Sequence, residues 1–390
     1  MLVALLLAAC SRIAPIAAPD LPADDWNRDA TPILTAGERG DDGLLDISIA
    51  DPDVLYDPLA GEWRLWYQAG RARAFTASDN RMVIRCAWST DDSASWTVHP
   101  EPALTLPRDA AAWDATHTET PSVVYDPDAP ADRRYKLYYS GASGTHPWGF
   151  PNYQIGLAIS SDGRKFRRLP ASESPYGQAG LVLQVAEALP DTPGLVDGVV
   201  ADPEVQLIQG VYHLWFSSFA NDAAGNMIAF GISHATSSDG IHWTPSPNNP
   251  IPSLRNDANI GGQQPSVAWN PVLQHWEMWF TLDSEAEVAQ IPSSFNPALG
   301  FWLATSRDAR TWEVDYHAPR DVYWRPNSIY EKYGLLTGAD VVIVHGVRHL
   351  FYSAWGSNDV PKGFVVPVRN GRGVVPAVLN LLHATKDAGQ

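Results

Sequence analysis

The chain has 390 residues, 45% hydrophobic and 18% charged, with a formal net charge of −17 at pH 7. That balance excludes a disordered polyelectrolyte, and the acidity excludes nucleic acid and anionic membranes as partners, since both require a basic surface. The 29 Gly and 32 Pro punctuate short runs rich in the 16 Trp and 14 Tyr, the pattern of many turns in an all-β chain.

At the N-terminus, Leu2 to Ala9 form an apolar stretch ending Leu7-Ala8-Ala9-Cys10. It is too short to span a bilayer as a mature helix and has the form of the apolar part of a secretory signal, although no Lys or Arg precedes it. The ending resembles the bacterial lipobox, in which the cysteine becomes the lipid-modified first residue. The expectation is a lipoprotein-type signal over residues 1–10, lipidation at Cys10, a cell-envelope location and membrane contact only through the lipid. Residues 11–39 read as a linker and ring-closing segment. Cys86 has no partner once Cys10 is lipidated, so no disulfide is expected, and it reads as apolar filler.

From residue 40 onward one unit recurs five times. Its first run reads Asp51-Pro52-Asp53-Val54-Leu55-Tyr56, Pro121-Ser122-Val123-Val124-Tyr125, Asp202-Pro203-Glu204-Val205-Gln206-Leu207, Pro265-Ser266-Val267-Ala268-Trp269 and Asp340-Val341-Val342-Ile343-Val344. Its second run ends in aromatics: Trp66-Tyr67, Tyr138-Tyr139, Trp215-Phe216, Trp279-Phe280 and Phe351-Tyr352. The third element holds a Ser-x-Asp turn at Ser89, Ser160, Ser237 and Ser306, followed by an aromatic that opens a fourth strand and packs between sheets. In two of these turns the pair is Asp-Gly, where Gly accepts the positive φ of a tight turn. Long-period repetition of this kind predicts a five-bladed β-propeller of four-stranded antiparallel blades over residues 40–390. The fifth unit has a poorer third element, Gly363 to Val368, and its outer strand is expected from Thr31 to Ala36. A monomer is expected.

Strand direction places the loops after each second strand around the channel mouth, and these are the long ones: 141–153, 219–227, 282–299 and 354–362. Function concentrates on extended loops held by a rigid scaffold. The start of each first strand then offers Asp51, Glu119, Asp202, Gln263 with Gln264, and Asp340 to the upper channel. An Asp before Pro can simply cap a strand. Three carboxylates converging from neighbouring blades are costly unless used, because like charges repel. One held neutral can protonate a leaving group while another stays ionised as base or nucleophile, the apparatus of glycoside hydrolysis. His117, Trp148, Gln263, Gln264, Asp340 and Trp355 are the expected substrate-binding residues, with aromatics available to stack on sugar rings.

Carried by Ala50-Asp51-Pro52, Ala201-Asp202-Pro203 and the Ser-x-Asp hairpins, the chain resembles the five-bladed propeller glycoside hydrolases, including families 43, 32, 62 and 68. The similarity covers about residues 40 to 365. It implies action on arabinofuranosides, xylosides, fructosides or related sugars, with Asp51 as base or nucleophile and Asp202 tuning the acid. The family's acid, a Glu two residues before a Pro in blade IV, falls here on Gln263, which cannot donate a proton as an acid does. Glu119, with the matching Glu-x-Pro form in blade II, is the expected acid. A non-catalytic glycan-binding propeller is the alternative, favoured by Gln263. No cofactor and no metal site are expected from ligand spacing. Related propellers sometimes hold a structural cation in the channel, to which Asp340 or His117 could contribute.

Overall fold

The computed structural model describes residues 26–37, 43–58, 60–72, 81–146, 151–255, 261–282, 301–314, 336–357, 365–370 and 373–389. Within them, five antiparallel sheets follow one another around an axis as a five-bladed propeller. Blade I is Leu45–Asp57, Glu62–Ala72, Arg81–Ser89 and Thr97–Val98. Blade II is His117–Tyr125, Tyr135–Ala142, Gln154–Ser160 and Arg167–Arg168, and blade III is Asp197–Ile208, Val211–Asn221, Met227–Ser237 and Thr244–Pro245. Blade IV is Gly262–Asn270, His275–Leu282 and Phe301–Ser306, its outer strand reduced to a bridge between Thr305 and Glu313.

Blade V corrects the sequence reading. Its third strand is Gly373–Asp387, which pairs along the whole of Val347–Ser357. Val365–Asn370, which overlaps the Gly363 to Val368 segment expected there, only folds back on the start of that strand as a hairpin. The blade lacks the Ser-x-Asp turn that marks the third strand elsewhere, so a short apolar run looks like the third strand in sequence alone. Its outer edge comes from the other end of the chain, where Asn27–Arg28 and Leu34–Thr35 pair with Gly373–Asp387.

The lower turns and the blade interfaces share one design. In the four Ser-x-Asp turns the Ser hydroxyl donates to the Asp Oδ1 at 2.7–3.0 Å, and that carboxylate caps the following backbone N–H groups. These bonds to the anion hold Asp239 and Asp308 down to about 2. Gly163 and Gly240 take positive φ there, and a Cβ on Gly240 would meet the Tyr138 hydroxyl, so glycine is required by both conformation and space. The next aromatic leans edge-on against the second strand of the preceding blade: Phe166 on Trp66, Trp243 on Tyr138, Trp312 on Trp215 and Trp96 on Phe351, with ring centroids 5.7–6.4 Å apart. The fifth interface is completed by Trp26 of the ring-closing segment, T-shaped on Trp279 at 5.5 Å. The core therefore lies between blades, and Cys86 is buried in the layer between blades I and II.

One backbone device positions everything at the axis. Every first strand carries a β-bulge at the same place, and the extra residue adopts left-handed φ: Asp51 (49°), Thr120 (44°), Asp202 (51°), Gln264 (50°) and Gly338 (47°). A bulge leaves a residue out of the ladder, so the proline that follows in four blades forfeits no strand hydrogen bond. The recurring x-Pro of the sequence is this bulge.

Candidate functional site

The bulges build two storeys on the axis. In the lower one, the side chain two residues past each bulge accepts the backbone N–H of the next blade. Asp53 takes Val123 (3.0 Å), Ser122 takes Val205 (3.0 Å), Glu204 takes Val267 (3.1 Å), Ser266 takes Val341 (2.9 Å) and Asp340 takes Val54 (2.6 Å). The five bonds close a ring that stitches each blade to its neighbour. Oxygens of Asp53, Glu204 and Asp340 all lie within 4.8 Å of one another, buried. Burial pushes all three carboxyls up, Glu204 to about 8 and Asp340 to about 6, and the charge of Asp340 adds to the rise of Asp53 and Glu204. The group therefore holds protons at neutral pH, or could hold a hard cation through oxygen ligands. Against the cation, both oxygens of Asp340 and of Glu204 already accept hydrogen bonds, from Ser266, Val54, Ser122, Gln206 and Val267. His117 is not part of this group.

The upper storey opens into the pit lined by Asp51, Thr120, Asp202, Gln264 and Gly338 with the prolines that follow. The second strand of the preceding blade holds the bulges. Asp51 N–H donates to Ser353 Oγ (2.7 Å), Asp202 N–H to Ser140 Oγ (2.9 Å), Gln264 N–H to Ser217 Oγ (3.0 Å) and Thr120 N–H to Gln68 Oε1 (3.3 Å). Gln264 Oε1 accepts from Thr281 Oγ1 (3.3 Å) and Gly338 N–H (3.2 Å), which turns its amide nitrogen toward Asp51 Oδ1 at 3.4 Å. Gly338 is needed here, because a Cβ would overlap that same oxygen.

Asp51, Glu119 and Asp202 come together. Burial first, then the charges of Asp202 and Glu119, push Asp51 well above the usual carboxylate range. Burial raises Glu119 to about 7, with Asp202 adding to the rise and a hydrogen bond from Tyr153 opposing it. Burial raises Asp202 to about 6 against a hydrogen bond with Ser217. The Tyr153 hydroxyl donates to Glu119 Oε2 at 2.9 Å, and His117 Nε2 lies 3.7 Å from Glu119 Oε1. Asp51, the buried member, feels the charge of both others, so repulsion disfavours ionising all three at once.

The register differs from the sequence reading in two respects. Glu119 stands one residue before its bulge, so Thr120 is the positional mate of Asp51. Gln263 occupies the same place in blade IV as Glu119 in blade II, and Gln264 is the one that faces Asp51. Asp340 does not sit at the upper level: it lies two residues past the bulge, in the stitching ring, and Gly338 takes the upper place in blade V. Blade V lacks the proline that marks the bulge elsewhere, so its Asp aligned by appearance alone. His146, beside the expected Trp148, pairs with Asp197 at 2.8 Å. Trp355 lies in the second strand of blade V opposite Leu379. Trp148 and Cys10 lie outside the described residues. Sequence reading missed Tyr153, which no spacing rule connects to Glu119. It also missed Asp53 and Glu204, although the repeated acid-Pro-acid of Asp51-Pro52-Asp53 and Asp202-Pro203-Glu204 carried that signal.

No family model matches this sequence, and no curated protein matches it. Solved structures do. BT0996, solved as an RGII complex, superposes with TM-score 0.61 at 15% identity, over 93% of this protein and 92% of the other. The likeness is one of fold. A glycosyl hydrolase from Bacteroides ovatus follows with TM-score 0.56 at 13% identity, over 96% of each protein. A β-1,2-mannobiose phosphorylase from Listeria innocua, in complex with β-1,2-mannobiose, gives 0.54 at 12% identity over 93% and 97%. The resemblance to propeller glycoside hydrolases thus holds for the architecture, and glycoside hydrolases are prominent among the structural neighbours.

Proposed function

We propose that this protein hydrolyses a glycosidic bond, with Glu119 as general acid, Asp51 as general base or nucleophile, and Asp202 as the charge that adds to burial in raising Glu119. The observation that carries this reading is the approach of three carboxyls from three adjacent blades: Asp51 and Asp202 line the pit, and the charges of Asp202 and Glu119 both raise Asp51. A carboxyl at about 7 keeps a large protonated fraction at neutral pH and loses that proton readily in a transition state. With Glu119 protonated, one of the two charges that hold Asp51 up is gone, and the Gln264 amide beside Asp51 Oδ1 favours its ionised form. Arabinofuranosides, xylosides, fructosides and related sugars are the proposed substrate class. Among the described residues lining the pit there is no Arg or Lys to receive a phosphate, which favours water over phosphate as the acceptor.

The alternative is a glycan-binding propeller without turnover, favoured by the amide rather than acid at Gln263 and Gln264 in blade IV. A glycan screen of wild type, Asp51→Asn, Glu119→Gln and Asp202→Asn separates the two. It should include β-1,2-mannobiose with and without inorganic phosphate. Turnover lost with binding kept supports the hydrolase; binding without turnover in wild type supports the alternative; a sugar phosphate product replaces hydrolysis by phosphorolysis. We further propose that Cys10 is lipidated and ties the propeller to the cell envelope, which metabolic palmitate labelling of wild type against Cys10→Ala checks.

A further inference from the structure

His117 stands beside Glu119 with its hydrogen bonds ordered in one direction. The Thr116 hydroxyl has a carbonyl acceptor in Ala142 O at 2.9 Å. A hydroxyl has one proton, so with that proton on Ala142 the Thr116 oxygen receives the Nδ1–H of His117, 2.8 Å away. The imidazole is then the Nδ1–H tautomer, and its Nε2 is a bare lone pair. That atom is the one 3.7 Å from Glu119 Oε1. The other carboxyl oxygen, Oε2, already accepts the Tyr153 hydroxyl, so a proton on Glu119 belongs on Oε1, facing Nε2. Tyr153 packs edge-on against the His117 ring with centroids 5.8 Å apart and limits its rotation. The side chain of His117 is 28% exposed and that of Glu119 is 13% exposed, so the histidine is the more open to solvent of the two.

We propose that His117 is a proton relay to Glu119: its Nδ1–H is locked on Thr116, its bare Nε2 faces the acid's Oε1, and its exposed edge brings protons from solvent. This rests on the reading of Glu119 as the general acid. After Glu119 gives its proton to the departing glycosidic oxygen as the C–O bond breaks, it is left as a carboxylate. His117 takes a proton from solvent on Nε2, becomes imidazolium for that interval, and passes the Nε2 proton to Oε1, returning to its neutral form. A small tilt of the ring that keeps Nδ1–H on Thr116 closes the 3.7 Å gap to hydrogen-bond reach. The route matters most in a single displacement, because in a double displacement the incoming water reloads the acid. The titratable groups facing the pair are Asp202, Asp51 and Tyr153. Burial lowers His117 and raises Glu119, so both prefer to be neutral and the resting proton sits on the acid.

The tautomer can be read without any substrate. Protein labelled with 15N in histidine, with His117 assigned through His117→Gln, is titrated by NMR from pH 5 to 9. The expected result is a neutral Nδ1–H ring at pH 7.5, with an Nε2 shift that steps near the ionisation of Glu119 and loses that step in Glu119→Gln. An Nε2–H tautomer, or an imidazolium persisting at pH 7.5, overturns the relay whether or not the protein is a glycosidase. The His117 signals can also be assigned by through-bond correlation to the backbone of wild type, so a variant that does not fold leaves the test intact. Once the glycan screen yields a substrate, His117→Gln should lower kcat about 10- to 100-fold with little change in KM, and most above neutral pH. Added imidazole should restore part of the rate. A loss that is equal at all pH values and indifferent to imidazole leaves His117 a purely structural residue and removes the relay, while the hydrolase reading stands or falls on Glu119→Gln alone.

Discussion

The two storeys of the axis are built by the same bulges and each gathers three carboxyls, all buried in the lower and partly exposed at Glu119 and Asp202 in the upper, and they are partnered differently. In the lower one, Asp53, Glu204 and Asp340 accept backbone N–H groups from the next blade. In the upper one, Glu119 and Asp51 meet side-chain donors, Tyr153 and Gln264. An acid bonded to backbone is committed to holding the ring. An acid held by side chains at an open mouth can exchange those partners for a substrate. Position in the channel alone therefore does not identify a reacting group; its partners do.

Exchanging function and stability between the storeys tests that contrast most directly. Glu119→Gln should reduce turnover by about 100- to 10,000-fold while the thermal midpoint stays near that of wild type; an equal loss of both would merge the two storeys. Asp340→Ala should do the reverse. It strips the acceptor from the buried Val54 N–H and the partner from Ser266, a loss of about 2–4 kcal/mol measured by denaturant unfolding, and activity should track only the folded fraction.

Gly338→Ala touches both levels through one atom. Its Cβ collides with Asp51 Oδ1 at a positive φ, so about 1–3 kcal/mol of strain is expected, together with a fall in kcat that exceeds the fall in stability. The smallest effect concerns pH. The lower carboxyls are raised in the folded state, so the fold binds more protons than the unfolded chain between their ordinary values and their folded ones. Stability should fall as pH rises from about 4.5 to about 8, the reverse of a salt-bridged carboxylate. Glu204→Gln keeps an acceptor for Val267 and removes the charge; it should add about 1–2 kcal/mol at pH 8 and almost nothing at pH 4.5. Unfolding curves that show the same gain at both values would mean that the cluster is not protonated as described.

Much of this was legible in the chain. Ser-x-Asp turns and trailing aromatics mark four blades because each turn needs a hydroxyl, a carboxylate and a nearby ring at fixed offsets. Asp-Pro marks the bulge because proline is tolerated where a residue leaves the ladder. What stayed hidden is register. A bulge shifts the facing residue by one, so Glu119 and Gln263 appeared level with Asp51 when Thr120 and Gln264 are. Without its proline, blade V offers no mark, and its Asp340 reads a storey too high. Tyr153 comes from beyond a loop, and only the folded chain brings its hydroxyl to Glu119.

Closure of blade V by the segment around Trp26 sets how the molecule must assemble. Asp29 meets His383 across 354 positions of sequence, and Trp26 arrives on Trp279 to join the Phe301–Tyr352 contact at the last interface. Four finished blades are therefore an open arc, and contacts so distant along the chain form late and slowly. Synthesis must reach Gly373–Asp387 before Asn27–Arg28 and Leu34–Thr35 find their seat, so that early segment waits for its partner strand while the blades between are made.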